Sequence, residues 1–102
     1  MANWVPIGPA SGIPEGGCRV LEAGGHTIAI FNLGGALHAI DNTCAHRGGP
    51  LGEGFLQGTV VTCPWHYWSY DVTTGRGTMA DQVSVRSFAI ERRGEDLFVD
   101  LG

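Results

Sequence analysis

Paired glycines cut this chain into short pieces. Gly16-Gly17, Gly24-Gly25, Gly34-Gly35 and Gly48-Gly49 fall at intervals, and glycine occurs 17 times in 102 residues. A glycine inside a helix costs about 1 kcal/mol relative to alanine, whereas at a tight turn it supplies positive φ without strain. A chain interrupted this often is built from short elements joined by turns. Between the glycines lie runs with strand character: residues 18–23 and 26–31, then Ala36-Leu37-His38-Ala39-Ile40. The Leu33-Gly34-Gly35 junction reads as a hairpin turn. Thr59–Thr62, Trp68–Asp71, Val83–Glu91 and Leu97–Leu101 follow, the last two separated by a hairpin loop at Arg92–Asp96. No window sustains an i, i+3, i+4 apolar pattern over a helix length. The expected fold is all-β, a small antiparallel β-sandwich. Residues 41–77, rich in Gly, Pro, Cys and His, read as a lobe with one short strand pair at its centre. That lobe is inserted between a strand-rich N-terminal part and two C-terminal strands.

Size and charge exclude several function classes. A length of 102 residues suits a single domain spanning 1–102. Residues Met1–Pro6 lack the basic start and apolar run of a secretory signal, and no stretch approaches about 18 consecutive apolar residues. The expectation is a cytoplasmic, monomeric protein without a membrane anchor. The net charge is −4, and all six basic residues are arginine. This argues against nucleic acid, whose binding needs clustered positive charge; it suits salt-sensitive encounters with basic protein surfaces, and equally it suits a charge that simply keeps a small domain soluble. Three cysteines in such a chain point to metal or redox chemistry rather than a disulfide framework.

Two motifs carry that chemistry: Cys44-Ala45-His46 and Cys63-Pro64-Trp65-His66, with sixteen residues between His46 and Cys63. Each supplies one thiolate and one imidazole on a loop, and a hairpin between them would bring the loops together. Two Cys and two His could hold tetrahedral zinc. Zinc spacings, however, commonly pair Cys with Cys and His with His, whereas here each loop is mixed. A binuclear cluster, with both thiolates on one iron and both imidazoles on the other, suits a mixed pattern.

The C-x-H…C-x-x-H arrangement resembles the Rieske family, which ligates its [2Fe–2S] centre in that way. The resemblance extends through Ile40–His46, Gly49-Pro50-Leu51, Gly54, Cys63–Asp71 and the Thr74-Gly75 turn. It implies two β-sheet layers with a cluster-binding lobe, and one Rieske-type [2Fe–2S] cluster on Cys44, His46, Cys63 and His66. Respiratory members carry an extra loop disulfide, but the matching positions here hold Gly49 and Trp65. Trp68 replaces a hydroxyl donor of that branch, and Tyr70 remains as a donor toward a cysteine sulfur. Fewer hydrogen bonds to the cluster place the expected potential near the low end of the family range, roughly −150 to +300 mV. The resemblance also implies solvent-exposed imidazole edges on His46 and His66, hence a potential that falls as pH rises. Trp65 and Tyr67 either meet a docking partner or shield the cluster from water.

The implied role is that of a soluble electron carrier, not an enzyme. Two of four histidines are committed to the cluster, so too few remain for a mononuclear iron site. The expected partners are a flavin-dependent NAD(P)H reductase and the terminal oxygenase of an aromatic-hydrocarbon dioxygenase or related monooxygenase system. The alternatives are the small subunit of an assimilatory nitrite reductase and a zinc-stabilised interaction module. Cys18, His26 and His38 read as ordinary strand residues, and Asp41 and Asp71 as turn residues beside the loops.

Overall fold

A computed structural model describes residues 3–43, 50–65, 68–78 and 84–101. The described residues form ten strands: β1 (Trp4–Pro9), β2 (Cys18–Ala23), β3 (His26–Leu33), β4 (Ala36–Asp41), β5 (Phe55–Gln57), β6 (Val60–Thr62), β7 (Ser69–Asp71), β8 (Ser87–Phe88), β9 (Ile90–Arg93) and β10 (Asp96–Asp100). They form three antiparallel sheets in the orders β1-β10-β9, β2-β3-β4-β8 and β5-β6-β7. Short 3-10 turns occupy Ala10–Gly12 and Leu51–Glu53. The expected all-β antiparallel sandwich is present, with the third sheet inside the lobe. Among the described residues no helix is long and apolar enough to cross a membrane.

Strand β3 explains how three sheets share one molecule. Antiparallel strands with one wet face alternate apolar and polar residues, but β3 reads Ile28-Ala29-Ile30-Phe31, all four at most 1% exposed. Ile28 and Ile30 pack with Leu97 and Val99 of β10. Ala29 and Phe31 point to the opposite face and pack with Leu51, Val61 and Tyr70 of the lobe. The middle sheet is therefore covered on both sides. Its hairpins fix the register: Ala23 pairs with His26 around Gly24-Gly25, and Leu33 with Ala36 around Gly34-Gly35. All four glycines have positive φ, as two-residue hairpin turns of this hand require.

The outer sheet behaves conventionally. In β10, Leu97 and Val99 are buried while their neighbours are not. On the wet side, the Arg93 guanidinium lies 4.6 Å from the Phe98 ring centre and 5.8 Å from that of Trp4. Its Nη2 also reaches Glu91 Oε2 at 3.2 Å.

Several expectations need correction. β1 carries Pro6 and Pro9, which count against a strand by sequence, yet it is an edge strand, where proline is tolerated. The lobe holds three strands rather than one pair, because the three-residue β5 is too short to show a pattern. The run expected at Val83–Glu91 is not one strand. Val83 lies outside the described residues, β8 pairs with β4, and after Ala89 the chain crosses to pair with β10. The C-terminal part thus contributes three strands. The loop expected at Arg92–Asp96 shrinks to Gly94-Glu95, since Arg93 already pairs with Asp96.

Cys18 opens β2 as a half-buried residue packed against the lobe core. Burial pushes its thiol up from 9.0 to about 11, partly opposed by a hydrogen bond with the Ile30 backbone. The thiol is thus neutral at ordinary pH. Its folded value lies above the unfolded one, so ionisation favours the unfolded chain. Stability should be full below about pH 9 and fall as pH rises toward about 11, as urea melts at pH 8 and 10.5 will register. Iodoacetamide at pH 8 should modify Cys18 at least about 10-fold more slowly than an unperturbed thiol, followed by mass spectrometry. In the core, Ile30→Ala should cost about 2–5 kcal/mol in urea unfolding. Val20→Ala, at a side chain 41% exposed, should cost less than about 1 kcal/mol.

Candidate metal centre

Both motif loops rise from stems that the structure describes in detail. The first stem is closed by a bridge, Thr43 opposite Pro50. Asp41 Oδ1 accepts the Thr43 N–H at 2.9 Å, an Asx turn that steers the chain into the loop. Asn42 does more. Its N–H donates to the Thr27 carbonyl at 2.9 Å, and its carbonyl accepts the Leu51 N–H at 2.7 Å. Its side-chain Oδ1 accepts the Gly52 N–H at 2.7 Å.

The second stem continues a ladder. Thr62 pairs with Ser69, and one step further the Cys63 N–H donates to the Trp68 carbonyl at 2.7 Å. The two stems touch. The Gly54 N–H donates to the Leu51 carbonyl at 3.0 Å, and the Thr62 carbonyl occupies the space a side chain at Gly54 would need. Chain leaving the first loop therefore runs directly against chain entering the second. The β5-β6 hairpin between them, turning at Gly58-Thr59, is the connection expected from the spacing of the motifs.

Of the four expected ligands, Cys63 is described. Cys44, His46 and His66 lie outside the described residues, as does Tyr67. Cys63 is 1% exposed and packs among Leu51, Val61, Tyr70 and Val72. A thiolate in apolar surroundings is costly unless a metal balances it. The site therefore suits a metal-bound sulfur, and two touching stems suit a group that takes ligands from both loops. Asp71 acts in a turn as expected, its Oδ1 accepting the Thr73 N–H at 2.9 Å and hydroxyl at 2.6 Å. Thr74-Gly75 closes the lobe, with the Gly75 N–H donating to the Asp71 carbonyl at 2.7 Å. His26 and His38 are half-buried strand residues, and His26 meets the Phe88 ring edge-on at 5.5 Å.

Trp65 is 56% exposed beside Cys63, and Phe55 is 64% exposed on β5 opposite Thr62. Sequence reasoning singled out Trp65 but missed Phe55. Only the register, which sets Phe55 across from the second stem, reveals it.

Comparison with known proteins agrees with this geometry. The family model for the Rieske [2Fe-2S] domain matches residues 3–89. The ferredoxin component of biphenyl 2,3-dioxygenase from Rhodococcus jostii (strain RHA1) is 36% identical over 81 residues, 78% of this chain and 76% of that protein. A chain in the solved complex of reduced oxygenase and oxidized ferredoxin in carbazole 1,9a-dioxygenase superposes with a TM-score of 0.87 at 28% identity, covering 95% of this chain and 92% of that one. A structure described as a putative NADH-dependent nitrite reductase small subunit from Mycobacterium tuberculosis gives a TM-score of 0.92 at 18% identity, covering 100% and 97%, a likeness of fold. With a match over most of its length, a buried cysteine at the second stem and ferredoxins among its relatives, the chain belongs to the Rieske [2Fe–2S] domain family, as an electron-transfer protein carrying a Rieske-type [2Fe–2S] cluster.

Proposed function

We propose that this chain is the ferredoxin component of a multicomponent oxygenase acting on aromatic compounds. It takes single electrons from a flavin-dependent NAD(P)H reductase and delivers them to a terminal oxygenase. Cys44 and Cys63 supply the thiolates, His46 and His66 the imidazoles, and residues 1–102 work as one domain with the lobe at about 41–77. The observation that carries this reading is the contact between the two stems, each leading into one Cys/His motif. When bound, the cluster supplies a reversible one-electron couple.

The chain's own residues do the rest. Leu51, Val61, Tyr70 and Val72 keep water from the Cys63 sulfur, and low polarity there strengthens any hydrogen bond made to it. Exposed Trp65 and Phe55 present apolar area next to the second loop, where a partner must approach for electron transfer. A net charge of −4 favours partners with basic docking faces. The identity of the relatives favours the oxygenase reading over the nitrite reductase one, for which the support is fold alone.

Protein purified without oxygen should be coloured and contain iron and acid-labile sulfide in equal amounts. Reduced with dithionite, it should give a rhombic paramagnetic resonance signal of low average g. Cys63→Ser should abolish or strongly alter that signal. A colourless, sulfide-free, zinc-containing protein would refute the assignment. Trp65→Ala should raise the KM for reduction of the oxygenase several-fold while leaving the potential unchanged. Added salt should slow the encounter with either partner.

A further inference from the structure

The two loop stems are not held in the same way. The second is the end of the β6-β7 ladder, so backbone pairing carries it up to the Cys63–Trp68 hydrogen bond. Beyond β4 the described residues of the first stem make one bridge, Thr43 with Pro50, and then the 3-10 turn at Leu51–Glu53. The amides at the start of that turn need acceptors. Asn42 provides both, its carbonyl to Leu51 and its side-chain Oδ1 to Gly52, while its own N–H is anchored on the Thr27 carbonyl. Three groups of one residue thus join the chain entering the loop, the chain leaving it and strand β3 inside the central sheet. Asn42 is a buried amide, 8% exposed.

Gly52 is shaped to this contact. A Cβ there would collide with the Val20 side chain and sit 2.8 Å from Asn42 Oδ1, with Cys18 Sγ 3.4 Å away. The turn can come close enough to donate to Asn42 only because residue 52 lacks a side chain. β2 then forms the wall against which the latch closes.

We infer that Asn42 is the positioning residue of the first cluster loop, setting through its Gly52 hydrogen bond where Cys44 and His46 stand relative to the second loop. The inference rests on the ligand set proposed above. Without the side-chain acceptor, the half-buried Gly52 N–H is left without this partner, and the turn relaxes away from β4. Because the turn also carries Gly54 against Thr62, that movement changes the spacing of the loops rather than merely loosening the fold.

The test compares holoprotein variants. Asn42→Ala should release its iron to a chelator about 10–100-fold faster than the parent, the loss seen when partners of metal ligands are removed. Its reduced paramagnetic resonance spectrum should show shifted or broadened g values. Asn42→Asp keeps an acceptor at the same place and should release iron within a few-fold of the parent. It also covers the case in which the alanine variant does not fold. The control is Val99→Ala, in the core on the far side of the central sheet. It should lower the melting temperature and leave the spectrum unchanged. Parent-like release and spectrum in Asn42→Ala overturn the inference, and so does Asn42→Asp that bleaches as fast as the alanine variant. A parent protein without a mixed His/Cys signal would instead refute the ligand set itself.

Discussion

Burial of β3 on both faces is the constraint from which the rest of the molecule follows. Its even positions belong to the sandwich core with β10, and its odd positions to the core beneath the lobe. A slip of one residue would exchange Ile28 and Ile30 for Ala29 and Phe31, mismatching both cores at once. Register errors are thus penalised twice, and the tight turns at Gly24-Gly25 and Gly34-Gly35 allow no slack to absorb them. The lobe inherits its position from this strand: Phe31 and Ile40 of the central sheet meet Leu51, Val61 and Tyr70 from the other side. Scaffold and functional end share one packing problem.

Much of this was written in the sequence. Strands β2, β3 and β4 coincide closely with the runs read between glycine pairs, because two-residue hairpins leave little freedom in where a strand ends. The two Cys/His motifs identified the family, since mixed ligands at that spacing are uncommon. Other features were hidden for physical reasons. β1 was masked by two prolines that an edge strand tolerates. β5 is visible only through its pairing with β6. The sheet change at Ala89 has no local signal, because the segment is extended on both sides and only its partners differ.

The site shows the same division. Ligand identity could be read from residue types, but the stem arrangement could not. Nothing about Asn42 in the sequence distinguishes it from any turn asparagine, and its role emerges only when Leu51 and Gly52 return to meet it. Cys18 and Cys63 were told apart by the motif around Cys63, but not by their surroundings. The structure separates a strand thiol kept neutral by burial from a sulfur at the mouth of a loop.

The β5-β6 hairpin lies wholly between the two stems, and its ladder runs from Phe55 opposite Thr62, at the stems, to Gln57 opposite Val60, at the turn. Gly58-Thr59 therefore sits at the end of the ladder remote from the stems. An insertion at that tip would lengthen the hairpin at the end away from either Cys/His segment. The hairpin tip is thus a place where added length would not reach the electron-carrying end.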